Sequence, residues 1–347
     1  MQLTGPTEAS PVPTPAISIL SSAYRTEDKL EAMILSVLAQ TRSDWELIVV
    51  DNGPSDTIAS IVQRYTDDSR IRLIRQTNSG VSGGVNAAAA QARGTYLVVL
   101  HSDDQLTPEY CSRMGGILDD DPAIDVVCCD AHLISASTGE PLHHSFRTNL
   151  ANRRFTARVT LTDLLAGRPL YYVGAFRRAA WAAGGGYSSD PPNIEDRLLY
   201  LRILGAGGSI VEIPDRLSRY MLDDNSATYH PDSSRQMQRS LEQVHVEAAR
   251  ASGRPQDLAA LEVGLRRSRY VQALRRARFA FIAGDVSEAR TEARQALAQR
   301  WTLRAGAVFA GLTVAPGVLR LVHPTKRMMT ERFASFGART VRRVASR

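Results

Sequence analysis

Cysteine is scarce in this chain, with three residues in 347, Cys111, Cys128 and Cys129. An odd count with two adjacent members excludes a disulfide framework and a CxxC metal site, and it fits a reducing cytoplasm. No stretch of about 18 consecutive uncharged apolar residues occurs, so no membrane-spanning helix is expected. Residues 1–15 lack the basic start and apolar run of a signal peptide and carry Pro6, Pro11, Pro13 and Pro15, so they read as a disordered leader. With 44% hydrophobic and 22% charged residues, the chain is neither collagenous nor intrinsically disordered. Its length suits two domains, or one large domain with an appendage.

Acidic residues are also scarce at one end. From Trp301 to Arg347 there are nine basic residues and one acid, Glu331. This segment carries +8 of a chain total of +6, leaving −2 on the preceding 300 residues. The high pI therefore belongs to the tail, which suits an anionic surface. No nucleic-acid-binding motif accompanies the charge, so nucleic acid is not an expected partner.

From Ala16 onward strand and helix signals alternate. AISILSSA (16–23), WELIVVD (45–51), 70–75, TYLVVL (95–100) and 124–129 read as strands. Between them, Leu30, Met33, Ile34, Val37 and Leu38 mark one face of a helix with Thr26 as its cap, Ile58, Ile61, Val62 and Tyr65 mark a second, and 84–93 is alanine-rich. This is the pattern of an α/β fold, a mostly parallel doubly wound sheet flanked by helices, whose ligands lie beyond the carboxyl ends of its strands. The stretch from Asp130 to about Thr160 carries no assignable pattern. A further helix is expected from the Glu195-Asp196 pair. Beyond about Ser233 no strand signal remains; Tyr270, Ala273, Leu274, Ala277 and Phe281, a Gly284-Asp285 turn, and Ala289, Ala293, Ala296 and Leu297 predict a helical hairpin.

Polar residues just after the strands define the candidate site. Four segments follow in order: AISILSSAYRTEDKLEAMILSVLAQT with WELIVVDNGPSD, NSGVSGGVNAAAAQARGTYLVVLHSDD, FRRAAWAAGGGY, and NIEDRLLYLRILGAGG. Together, over about 16–228, they resemble glycosyltransferase family 2, inverting transferases of the GT-A fold that use nucleotide-sugar donors. The resemblance implies a catalytic domain over 16–232, with a nucleotide-binding half at 16–110 and an acceptor half at 111–232. Composition then places a helical accessory region at 233–300 and an apolar segment plus basic tail at 301–347.

Residue by residue, the resemblance implies that Asp51 contacts the base and Tyr24 stacks on it or lines its pocket, with Ala23 and Asn86 also on the nucleotide-sugar. Asp51 alternatively reads as a helix cap. His101-Ser102-Asp103-Asp104 stands where the family has D-x-D-D, which binds ribose and a divalent cation, Mn2+ or Mg2+. Asp103 retains the cation-binding carboxylate, a hard oxygen donor. His101 replaces the first aspartate, as a ligand or sugar contact or simply as a turn histidine. Val85 stands where an arginine is frequent. Asp196 is implied as the base that deprotonates the acceptor hydroxyl, beside Glu195 and Arg197 on the acceptor side; the alternative is a pair of acids favoured by a helix dipole. Asp223 is a second metal candidate, and it or His230 reaches toward the diphosphate.

The processive Q-x-x-R-W motif is absent from 215–220, so one sugar per encounter is expected, delivered to a glycan or lipid-linked acceptor of envelope or polysaccharide type. A catalytically impaired nucleotide- or glycan-binding subunit is the alternative. The uncharged run Ala305 to Leu319, followed by most of the tail cations, suggests a peripheral contact with an anionic membrane surface on its inner face. A helical pair packed on the protein with a solvated basic end is the competing reading.

Overall fold

The computed structural model describes residues 14–145, 157–222 and 231–317, the side chains of 143–145 and 231–234 excepted. These residues divide into two compact units, one drawn from Met1–Thr160 and Pro169–Asp223, the other from Leu161–Arg168 and Asp224–Arg347.

The first unit is built on one sheet. In chain order it contains β1 (Ile17–Ala23), α1 (Leu30–Leu38), β2 (Trp45–Asn52), α2 (Asp56–Gln63), β3 (Ile71–Gln76), α3 (Gly80–Gln91), β4 (Tyr96–Val99), β5 (Gln105–Leu106), α4 (Tyr110–Asp120), β6 (Val126–Ser135), β7 (Pro141–Ser145) and β8 (Ala157–Val159). After α5 (Leu161–Leu165), which groups with the second unit, come β9 (Gly174–Arg177), α6 (Arg178–Ala183), α7 (Glu195–Gly205) and β10 (Ile210–Leu222). The strand order is β3-β2-β1-β4-β9-β6-β10-β5. β3, β2, β1 and β4 are mutually parallel, as the alternating pattern leads one to expect. Beyond them the sheet is mixed: β9 runs antiparallel to both β4 and β6, while β6 and β10 are parallel. Buried positions fill β2 and β4 and nearly all of β1, on both faces of the sheet, which is why these strands do not alternate between apolar and polar residues; the polar residues they contain, such as Ser18 and Glu46, are buried with the rest. Helix α1 buries Leu30, Met33, Ile34 and Val37, its predicted face.

Two local expectations are corrected. Thr26 does not cap α1, whose N-cap position is Lys29 and has no side-chain capping bond; the Thr26 hydroxyl instead donates to Ser102 Oγ at 2.9 Å. The unassigned stretch after Asp130 continues β6 to Ser135 and adds β7 and β8. The three cysteines are buried and not disulfide-bonded. Burial pushes the Cys111 thiol up to about 12, which leaves it unreactive.

Glu46, buried within β2, is a charged anchor for this parallel block. Its Oε1 accepts from Ser18 Oγ and from the Arg93 backbone N–H, both at 2.6 Å, and its Oε2 accepts from Arg72 at 2.8 Å and Arg93 Nε at 3.0 Å. Burial pushes its pKa up, but these donors outweigh burial and hold it below its ordinary value of 4.5. A folded-state pKa below the unfolded one stabilises the fold above pH 4.5, and this contribution is lost as pH falls through the lower, folded value. Glu46→Gln should therefore cost about 2 kcal/mol near neutral pH in urea unfolding. The gap to the parent should narrow in acid; a gap independent of pH would show that the charge is not what stabilises.

The second unit is helical: α8 (Pro231–Ser252), α9 (Pro255–Ile282), α10 (Val286–Gln299) and α11 (Leu303–Val314). Ala277, Phe281, Ala289, Ala293 and Leu312 form its apolar cluster, flanked by Ala280, Val308 and Phe309. The Gly284-Asp285 turn is present, with Asp285 capping α10 through the Glu288 N–H at 2.9 Å. The segment 161–168, placed from sequence within the catalytic region, docks here instead. Thr162 Oγ1 donates to the buried Asp257 at 2.6 Å, and a Cβ on Gly264 would lie 1.9 Å from the Leu165 carbonyl oxygen. Only glycine permits that approach of helix to backbone.

Candidate active site

Parallel strands end together, so the residues following β1, β2 and β4 share one edge of the sheet. Ala23 closes β1, buried and in register with Asp51 on β2. Tyr24 follows and is 43% exposed, its ring available to solvent. Gly53, at φ +131°, lies under that ring; a Cβ there would come within 3.0 Å of two ring carbons. Arg25 places its guanidinium 5.0 Å from the ring centroid.

Asp51 is fully buried. Its two oxygens accept from the Ser55 N–H at 3.1 and 2.9 Å, and Oδ2 also accepts from Arg75 Nε at 3.0 Å. The carboxylate thus orders the turn into α2, where Ser55 Oγ accepts from the Ile58 N–H as the N-cap. A carboxylate offers about four lone-pair sites, so acceptor capacity remains beyond these three bonds. Its neighbour Asn52 accepts from Gln76 and the Ser79 N–H and donates to the Gly80 carbonyl, fixing the start of α3.

The turn after β4 carries His101, Ser102, Asp103 and Asp104. Ser102 donates to the Ser22 carbonyl at 3.2 Å, tying this turn to β1. The His101 ring stacks on Tyr172, with centroids 4.0 Å apart and planes at 15°, and its backbone N–H donates to the Tyr172 hydroxyl at 3.2 Å. That hydroxyl in turn donates to Asp104 Oδ2 at 2.5 Å, while Asp104 Oδ1 accepts from the Met221 N–H at 2.8 Å. Asp104 therefore links the turn to β10. Burial, with Asp103 beside it, pushes its pKa up to about 8.

One ligand atom each from His101, Asp103 and Asp104 lies within 4.8 Å of the other two. One imidazole nitrogen and carboxylate oxygens form a donor set that fits Mn2+ or Mg2+. Asp104, already bonded on both oxygens, is the most committed of the three, leaving His101 and Asp103 as the more available donors. Burial lowers the His101 pKa against the opposing pull of Asp103 and Asp196, keeping the imidazole neutral and able to ligate.

Asp196, at the start of α7, is near enough to His101 to oppose that lowering electrostatically. Glu195 and Asp196 occupy the first helical turn, where the dipole favours acids. Burial nevertheless raises both pKa values, Asp196 against the opposing influence of Arg197 and His101. Burial also lowers Arg197, to about 10.

Asn86 is used differently from the sequence expectation. Its Nδ2 donates to the Tyr187 carbonyl at 2.7 Å and its Oδ1 accepts from the Tyr187 N–H at 3.1 Å. Both ends of the amide hold the glycine-rich loop, not a ligand. Gly186, at φ +64°, is required there, since a Cβ would meet Asn86 Oδ1 at 2.9 Å. Asp223 and His230 lie outside the described residues. Sequence reading missed Tyr172 and Arg75; the paired tyrosines of RPLYYVGAF were the only signal for the first.

Residues 18–183 match the family described as Glycosyl transferase family 2. Putative glycosyltransferase EpsH of Bacillus subtilis is 32% identical over 130 residues, 37% of each chain, so the match spans little more than a third of that relative. Two solved structures share the fold. Mannosyltransferase PcManGT from Pyrobaculum calidifontis, in complex with GDP-Man and Mn2+, aligns with a TM-score of 0.55 at 18% identity over 91% of this chain and 90% of that one. S. aureus TarS 1-349 in complex with UDP-GlcNAc aligns with a TM-score of 0.54 at 16% identity over 80% and 90%.

Proposed function

Since residues 18–183 form a glycosyl transferase family 2 domain, we propose that the protein moves a sugar from a nucleotide-sugar donor to an acceptor hydroxyl, with inversion and one sugar per encounter. The observation that carries this reading is the His101–Asp103–Asp104 cluster after β4, tied to β1 through Ser102, with Asp196 near enough to His101 to act on it electrostatically. Tyr24 offers an exposed aromatic face for a base, and Asp51, fully buried and bonded to the Ser55 N–H and Arg75, orders the adjoining turn at Gly53 rather than presenting a solvent-facing oxygen. His101 and Asp103, with Asp104 behind them, would hold a divalent cation, Mn2+ or Mg2+, whose charge offsets that of the diphosphate. Asp196, made more basic by burial, takes the proton of the acceptor hydroxyl as that oxygen attacks the anomeric carbon opposite the leaving nucleotide. Glu195 and Arg197 flank it on the acceptor side. Asn86 acts one step back, holding the loop at Tyr187.

The absence of Q-x-x-R-W at 215–220 supports non-processive transfer. The acceptor is a glycan or lipid-linked glycan of envelope or polysaccharide type, and the protein works in the cytoplasm on the inner face of the membrane. No helix among the described residues is long and apolar enough to cross a membrane, which suits a peripheral enzyme. The test is a panel of UDP-, GDP-, dTDP- and CDP-sugars assayed for binding and for nucleotide release with and without Mn2+. One donor class should bind and turn over only with the metal, and NMR of the product should show an inverted anomeric centre. Binding without turnover of any donor would favour a nucleotide-binding partner subunit instead.

A further inference from the structure

Helix α11 is apolar on two faces, and its protein contacts explain only one of them. Its inner face buries Ala305 and Leu312 and sets Val308 and Phe309 against Ala277, Phe281, Ala289 and Ala293. Arg290 Nε donates to the Leu312 carbonyl at 3.0 Å, which fixes its far end. A surface helix ordinarily turns polar side chains outward. Here the exposed residues are Leu303, Arg304, Ala307, Ala310, Thr313 and Val314, of which Leu303, Ala307, Ala310 and Val314, spaced four, three and four apart, form one apolar stripe. Leu303 is 81% and Val314 84% exposed, and Trp301 just before the helix is 73% exposed. The helix contains no acidic residue, and Arg300 and exposed Arg304 flank the start of the stripe.

From these observations we infer that α11 is an in-plane docking surface for a bilayer containing anionic phospholipid. Three features select this occupant. An apolar stripe on an otherwise packed helix matches the shallow burial of interfacial helices. A tryptophan at its edge suits the headgroup region. Charge complementarity supplies the rest, because the segment from Trp301 onward holds nine cations and a single acid. The helix is simultaneously a packed element of its unit and an interfacial one, so the two readings of the apolar run in the sequence are not exclusive. The inference stands apart from the transfer reading, since no residue of the candidate active site enters it.

The test uses the full chain with vesicles of phosphatidylcholine alone or with about a third phosphatidylglycerol. Trp45 and Trp181 are buried, so a change in tryptophan emission on binding reports on Trp301. Anionic vesicles should bind the protein, shift its emission to the blue and release it as salt rises, while neutral vesicles bind it weakly. Leu303→Glu with Val314→Glu keeps every basic residue and alters only exposed positions. It should lower partitioning at least about tenfold and abolish the shift, with an unchanged circular dichroism spectrum. Equal partitioning of this variant would overturn the inference, because tail charge alone would then suffice. So would an unshifted emission, or a native dimer that the variant dissociates, which would make a second copy of the chain the occupant of the stripe. A variant with an altered spectrum would be replaced by Leu303→Gln with Val314→Gln, read in the same way.

Discussion

Replacing Asp196 by asparagine should lower turnover about 10²-fold or more while leaving donor binding within a few-fold. The substitution keeps the volume at the first turn of α7 and removes only the proton acceptor. Burial raises the affinity of this carboxylate for a proton, with Arg197 and His101 opposing, so it is a stronger base than an exposed aspartate. Asparagine cannot take that proton, and the acceptor hydroxyl would have to attack undeprotonated. The loss should fall on kcat, since the substitution removes the proton acceptor and keeps the side chain's size. Steady-state rates of nucleotide release, with and without acceptor, measure it. Near-normal turnover would assign the proton to Glu195 or to solvent, and Glu195→Gln in the same assay distinguishes those two.

Much of this arrangement is visible in the sequence because parallel strands leave a strong local signature. Buried on both faces, β1, β2 and β4 are rich in apolar residues without alternation, and the polar residues at or just after their carboxyl ends, Tyr24, Asp51 and His101 to Asp104, stand out by position. The same holds for α7, whose two leading acids precede a dense apolar helix. What escapes sequence reading is long-range. Asp104 is bonded to residues 68 and 117 positions away, Tyr172 and Met221, because β9 inserts antiparallel between β4 and β6 and β10 passes beside β5. Asn86 and Tyr187 meet across 101 positions, so the amide's commitment to that loop has no local signal. Thr26 shows the cost of a purely local rule: a plausible helix cap finds a partner 76 residues on, in Ser102.

The distinction between Asp103 and Asp104 yields the sharpest test of the cation site. Asp103→Ala should abolish metal-dependent donor binding and leave the thermal midpoint of the metal-free protein nearly unchanged. Asp104→Ala should do the reverse in emphasis. It removes the acceptor for both the Tyr172 hydroxyl and the Met221 N–H, unfastening the turn after β4 from β10. Each buried donor left without a partner costs about 1–3 kcal/mol, so stability falls before any effect on metal is felt. The two carboxylates are adjacent in sequence and equal in chemistry, yet one is 1% exposed and bonded on both oxygens while the other is only partly buried. Thermal shift of the parent and both variants, with nucleotide and with or without Mn2+, separates the outcomes directly. A metal-dependent shift surviving in a well-folded Asp103→Ala variant would remove Asp103 from the ligand set and leave His101 as the donor to be examined next.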